Sequence, residues 1–454
     1  RLYGDFIGDI NPDWITNLPF QKLMAQDDDL PTSTGSVAFQ RKVRTGLLKH
    51  TQNLDSILLD GIYVLFRRWK YFARIGRKLT EDEWAQFRNL AGILAPLSGV
   101  LFLGYRELEN SDNPHYEEWV WHLRKDFDFF IYKHCQWLNN PDLIVRESAR
   151  DVLSIELHPL SYRVLFEHIS SRIDELSSTE IALPRNELTY VLLEQIIITL
   201  RTILKKDDEE EVMILFSVDI LEIIERLLSL VDMIPHDTSK YYKAVIQLSK
   251  MFKALEHSEK SMAIKSHFLL KNKWLKFVTS WFRLAISKEY DIENISKPHR
   301  EMDLVKRDLD YLHIDTAIES SKVIAYLTKD LPLEATISST EDEMKRSKFV
   351  IFGNYFNILL KGLEKTMDHE KYPVSLRHKM NIMHENVILA LTNLSSSNIE
   401  SSWKFTLPMG YSRNKSIRVA FLKLFINIVS SMQIQKTMIE NEKLKAMDDL
   451  LQFA

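Results

Sequence analysis

The chain is 454 residues long, with hydrophobic residues at 45%, charged residues at 27% and only 12 glycines and 13 prolines, which is ordinary for soluble protein and poor in the turn residues of β architecture. A formal charge of −4 excludes a global field for nucleic acid or anionic membrane. The single cysteine, Cys135, excludes an internal disulfide framework and a cysteine-rich zinc module, and points to a reducing compartment. At this length the chain forms two to three domains or one elongated array.

Arg1 opens the chain with no initiator methionine and no signal pattern, as expected of a piece of something longer. Residues 1–36 read as an irregular lead-in with Pro12, Pro19, Pro31 and an acidic triplet, Asp27 to Asp29. From Val37 the apolar spacing turns helical: 37–54, 56–78 and 81–103, the last capped by Thr80. The uncharged run Asn89 to Tyr105 is short for a membrane span and carries Gly92, Pro96, Gly99 and Gly104. It is expected to be a buried helix pair broken near Pro96.

Arg67, Lys70, Arg74 and Arg77 recur at spacings of three and four, a basic stripe interleaved with Phe66, Trp69, Tyr71 and Phe72. Such a stripe is a candidate partner-contact patch, because cations track phosphate or acidic protein and aromatics stack on bases. The plainer expectation is an aromatic face in the core and a solvated basic back. The helix at 115–138 carries large aromatics on nearly all faces and is expected to be buried between neighbours.

Asn139 to Pro159 orders the reading of the whole chain. Asn140 is expected to cap a helix that begins at Pro141 and ends at His158, with Pro159 opening the next. Asp142, Val145, Arg146, Ala149 and Leu153 have the pattern of a HEAT repeat's inner helix: a small residue for close approach, and an Asp and an Arg to bridge successive repeats. A second such helix is expected at 415–432, where Ile417-Arg418 precedes Phe421, Leu424, Phe425 and Ile428.

Between these lie helices at 160–176, 187–206, 212–233, 240–257, 261–270, 273–287 and 303–327, then 344–366, 374–394 and, after the second signature, 435–451. The acidic run Asp207 to Glu211 lacks the alternation and glycine of a calcium loop and reads as a solvated connection. Leu331 to Glu343 is the clearest linker. The expected fold is all-α, a HEAT/armadillo-like α-solenoid of irregular helical pairs over 37–330, continuing over 344–454.

Chemistry is harder to find. There is no Gly-rich phosphate loop, no nucleophile elbow and no histidine pair one helical turn apart. His134 beside Cys135 offers half a metal site at most. The expectation is therefore no catalytic, cofactor-binding or metal-binding residue in this chain.

Several islands along the chain, in shared order, resemble the region of neurofibromin and the yeast Ira proteins just before their Ras GTPase-activating domain. They are Ser33-Thr34-Gly35 with Gln40; Leu90, Gly92, Leu94, Gly99 and Val100; Glu156-Leu157 with Pro159, Tyr162, Leu165 and Phe166; Arg307 to Asp310; Leu331-Pro332-Leu333; and Asn393-Leu394, Asn398, Ser401, Gly410-Tyr411, Arg418 and Phe421. Pro408 departs from the pattern, standing where neurofibromin has a glycine. The islands look more like the fungal branch than the animal one.

The resemblance implies a large Ras GTPase-activating protein that lowers Ras signalling and, in yeast, cyclic AMP signalling. Its arginine finger and Phe-Leu-Arg helix have no match here, Phe66-Arg67-Arg68 lying inside an amphipathic helix. On this view the chain is a non-catalytic, cofactor-free scaffold leading toward a catalytic domain outside it. It positions or restrains that domain and supports a homodimer. Its partner is a Ras-family GTPase met through the parent's catalytic domain, with no nucleic acid, a cytoplasmic place and peripheral membrane association through Ras. The competing expectation is an independent solenoid for a cytoskeletal, cargo or nucleic-acid partner.

Overall fold

The computed structural model describes residues 56–75, 79–108, 114–177, 187–205, 220–261, 268–291, 295, 304–334, 341–367 and 372–434. Among these every regular element is a helix. The expected helices at 37–54 and 435–451, the lead-in and the acidic run lie outside the described residues.

The chain divides into two compact units, residues 1–175 with 213–220 and residues 176–212 with 221–454. In the first unit α1 (Ser56–Arg74) packs on α2 (Glu81–Leu108), which packs on α3 (Pro114–Trp137). The short α4 (Leu143–Asp151) follows, then a π-helical turn at Val152–Glu156, a 3₁₀ turn at Pro159–Ser161 and α5 (Tyr162–Ser177).

Thr80 starts α2 with a reciprocal capping box: its amide donates to Glu83 Oε2 at 2.9 Å, and its hydroxyl accepts from the Glu83 amide at 3.3 Å. The helix runs through Pro96 without a break, which corrects the expected pair. Proline removes one backbone hydrogen bond, but Leu90, Ala91, Leu94, Ala95, Leu97 and Ser98 are all buried. Packing on every side outweighs the local preference. No described helix is long and apolar enough to cross a membrane.

The second unit contains α6 (Glu187–Leu204), α7 (Ile220–Asp232), α8 (Ser239–Ser261), α9 (Phe268–Ser287), α10 (Leu304–Leu327), α11 (Glu341–Met367), α12 (Val374–Ser397), α13 (Ile399–Gly410) and α14 (Lys415–Ile434). Here α6, α8, α10, α12 and α14 pack successively side by side in one row. On them lies a second row, in which α9 packs on α10 and α11, α11 on α12 and α13, and α13 on α14. Lys273 of α9 joins Glu225 of α7 at 2.8 Å.

Ser261 ends α8 and Phe268 opens α9, and the expected separate helix at 261–270 falls largely on 262–267, outside the described residues. Residues 399–410 form α13, where no helix was expected between 394 and 415; proline near the end of a helix disturbs little beyond it. In the expected linker, Leu331 and Leu333 are buried and 341–343 already belong to α11. Asp330, at φ 53°, turns the chain out of α10 in the left-handed conformation that Asp tolerates.

Candidate functional site

Of the basic stripe, three residues lie among the described ones and two of them are exposed. Phe66, Trp69 and Phe72 of α1 are in the core and Tyr71 is exposed. Arg67 and Arg74 are exposed, but Lys70 is half-buried and paired with Asp126 of α3. Arg68 lies 4.9 Å from the Phe72 ring centroid. Arg77 lies outside the described residues.

In the Asn139 to Pro159 stretch the helix starts two residues later than expected. Asn140 Oδ1 accepts from the Asp142 amide at 2.9 Å, and Asp142, in an extended conformation, caps α4 by accepting from the Ile144 amide at 2.9 Å. Asp142 is thereby the cap instead of a first-turn residue. Arg146 donates to the carbonyls of Asn140 at 2.6 Å and Pro141 at 2.8 Å, so it closes its own turn instead of reaching a neighbouring repeat. Ala149, Val152 and Leu153 are buried, while Val145 is half-buried. The helical run ends at Glu156, and His158 is already extended.

His134 and Cys135 are both buried. The His134 Nδ1 lies 2.8 Å from the Phe130 carbonyl, and the ring stacks on Trp69 with centroids 5.7 Å apart. Burial lowers its pKa to about 4, and burial pushes the Cys135 thiol up to about 12. Such a thiol is a poor thiolate and the imidazole nitrogen is already engaged. No group of three metal-ligating side chains converges among the described residues.

Two polar joints fix helix against chain. In the first unit the His158 amide donates to the Ala95 carbonyl at 3.3 Å, and the Ser161 hydroxyl bonds that of Ser98 at 2.6 Å. The His158 ring occupies the space a side chain at Gly99 would need. In the second unit Asn398 Oδ1 accepts from the Leu333 amide at 2.9 Å, while its Nδ2 donates to the Leu331 carbonyl at 3.2 Å and the Leu394 carbonyl at 3.0 Å. Asn393 donates to the Ala325 carbonyl at 2.7 Å, and Asn272 to the Pro332 carbonyl at 3.1 Å.

A buried ionisable cluster, also in the second unit, escaped sequence reasoning. Lys365 of α11 donates to the carbonyls of Ile286, at 2.7 Å, and Lys288, and sits 3.8 Å from the Tyr290 ring centroid. Tyr290 donates to the Ala285 carbonyl at 3.3 Å. Asp310 of α10 accepts from the Asp291 amide at 3.2 Å, and Lys306 pairs with Asp291 at 2.6 Å. His313 lies one turn after Asp310, 4.0 Å from its carboxylate, with its ring edge-on to Tyr242 at 4.4 Å.

Burial, then Lys288 and Lys365, lower the His313 pKa to about 4; burial lowers that of Lys365 to about 8, and burial raises the Asp310 carboxyl. At neutral pH the imidazole is therefore uncharged. An acid and an imidazole one turn apart invite an acid-base reading; the Asp291 amide engages Asp310 and the carbonyls of Ile286 and Lys288 engage Lys365, while the buried His313 Nδ1 has no hydrogen-bond partner among the described residues. The cluster clamps the connection that follows α9. Asp310-x-x-His313 on one helical face was the signal available in the sequence.

Over an alignment of 471 residues the chain is 50% identical to Inhibitory regulator protein IRA1 of Saccharomyces cerevisiae, taking in 100% of the chain. The chain belongs to the Ira family. It is also 48% identical over 447 residues to Inhibitory regulator protein IRA2 of the same yeast, which takes in 98% of the chain. It spans 15% and 14% of the lengths of these Ira relatives. No family model matches it. Some of the residues that carry the resemblance lie at the joints: Gly99 meets His158, Asn398 clasps Leu331 and Leu333, and Asp310 holds the connection after α9.

Proposed function

We propose that this chain is a non-catalytic helical platform of a Ras GTPase-activating regulator, a HEAT-like solenoid that positions or restrains a catalytic domain beyond Ala454. Its identity to two inhibitory regulators over essentially its whole length carries the reading. The row of α6, α8, α10, α12 and α14 supports the solenoid, since each helical pair covers an apolar face of the next. The clustered ionisable groups are spent on holding connections, as a scaffold requires. A homodimer, a cytoplasmic place and peripheral membrane association through Ras follow from the family resemblance and form part of the same proposal.

Single-turnover GTP hydrolysis by Ras tests it. The 454-residue chain is expected to leave the intrinsic rate unchanged, and a longer natural protein continuing past Ala454 is expected to raise it by about 10³-fold or more. Acceleration by the 454-residue chain alone would overturn the non-catalytic assignment.

A further inference from the structure

On the first row of the second unit, a cleft of about 400 Å³ opens across α6, α8 and α10, lined by Arg201, Lys205, Lys250, Lys253, Glu319 and Lys322, with Glu256 and Ala254 beside them. Five cations and two carboxylates thus share one small cavity, in a chain whose formal charge is −4. The imbalance is sharper than the count, because Glu319 is already paired with Lys322 at 2.7 Å. Among the described residues Lys205, Lys250 and Lys253 have no carboxylate within ion-pairing distance.

Helix dipoles account for only part of this arrangement. Arg201 and Lys205 fall at the C-terminal end of α6, where a cation is favoured. Lys250 and Lys253 stand in the middle of α8, and Lys322 stands before the last turn of α10. Like charges held this close repel one another and raise the free energy of the empty site. Arg201 is also positioned: its Nη1 donates to Gln247 Oε1 of α8 at 2.7 Å. That sets a positioned planar guanidinium among lysine ammonium groups, the combination that recognises phosphate.

We propose that this cleft binds a compact anion bearing several phosphates on one small framework, of the inositol polyphosphate class, whether free or as a lipid headgroup. The cavity has the volume of a small ligand, and its cations converge from three helices on one space instead of forming a track for an extended acidic peptide. The cleft bridges three successive helices of the row, so occupation also ties them together.

The test is calorimetric titration of the 454-residue chain with myo-inositol hexakisphosphate at physiological salt, with sedimentation against vesicles carrying phosphatidylinositol 4,5-bisphosphate in phosphatidylcholine. The acidic run 207–211 is retained throughout. Saturable 1:1 binding is expected, weakened about tenfold or more in K250Q/K253Q and unchanged in R67Q/R74Q on α1. K205Q, at an exposed helix end, provides a second variant should the double one melt early. Binding to vesicles as well as the soluble probe assigns the headgroup, and binding to the soluble probe alone assigns a free polyphosphate. No saturable binding, binding indifferent to K250Q/K253Q and K205Q, or equal affinity for a polyglutamate peptide would overturn the proposal. None of these readouts involves Ras, so they leave the scaffold reading to its own assay.

Discussion

Arg146 and Arg418 stand in the same relation to the turns before their helices. Each donates through Nη1 to the carbonyls six and five residues earlier, Arg146 to Asn140 and Pro141, Arg418 to Ser412 at 2.7 Å and Arg413 at 3.1 Å. Four residues before each arginine, a residue donates its amide to the side chain two positions back, Asp142 to Asn140 and Asn414 to Ser412 at 3.2 Å. One device, built twice, therefore starts α4 in the first unit and α14 in the second.

A guanidinium can serve two carbonyls from one planar fork, which an ammonium on a flexible stem does less well. Arg146→Lys and Arg418→Lys are accordingly expected to keep the charge and weaken the turn, each by about 1 kcal/mol. Hydrogen exchange should show faster exchange of the first-turn amides of the affected helix alone. Unchanged protection in both variants would mean that the arginines merely decorate turns held by their caps.

The Asn398 clasp predicts a larger loss. Its side chain satisfies one amide and two carbonyls, including those of the buried residues Leu331 and Leu333. Asn398→Ala leaves all three to find other partners and is expected to cost about 2 kcal/mol or more. Asn398→Asp keeps an acceptor for the Leu333 amide but turns a carboxylate oxygen toward two carbonyls, so it should destabilise at least as much. Thermal melts of the two variants and exchange of the Leu333 amide check this.

At Gly99 the argument is steric. A side chain there would overlap the His158 ring, and that ring is held in place by accepting the Leu160 amide at Nδ1, 3.2 Å away. Gly99→Ala should therefore destabilise by about 1–3 kcal/mol as overpacking. Adding His158→Ala removes the obstacle, so the double variant should be less destabilised than the two single effects summed. Strict additivity in a double-mutant cycle would show that the ring moves aside freely.

What the sequence made legible was the helical class, the Thr80 cap, the buried face of α1 and the family. These rest on periodicity, on short-range capping chemistry and on residue order, all of which act within a few neighbouring positions. Features requiring distant partners stayed hidden. Pro96 reads as a break until the packing around α2 is known, and Leu331-Pro332-Leu333 reads as linker until Asn398 is found beside it. Lys70 reads as part of a surface stripe because nothing local announces Asp126, 56 residues later. The clamp of Lys365, Asp310 and His313 was missed for the same reason: its members lie on two helices and close around a connection after a third.

Acid should weaken the first unit through His134. Enclosed among Trp69, Phe130 and Trp137, its imidazole has a pKa lowered from 6.5 to about 4, chiefly by burial. The unfolded chain takes up this proton at about pH 6.5, while the folded chain refuses it until about pH 4. Between these values the unfolded state binds more protons, so stability rises with pH across the window and is lost as pH falls through it. The full effect is about 3 kcal/mol, present above pH 6.5 and gone near pH 4. His134→Phe keeps an aromatic ring against Trp69 and removes the titrating group. Its melting temperature, whatever its absolute value, should depend less steeply on pH between 4 and 6.5 than that of the unaltered chain. Equal slopes would mean that His134 reaches solvent and titrates normally in the folded protein.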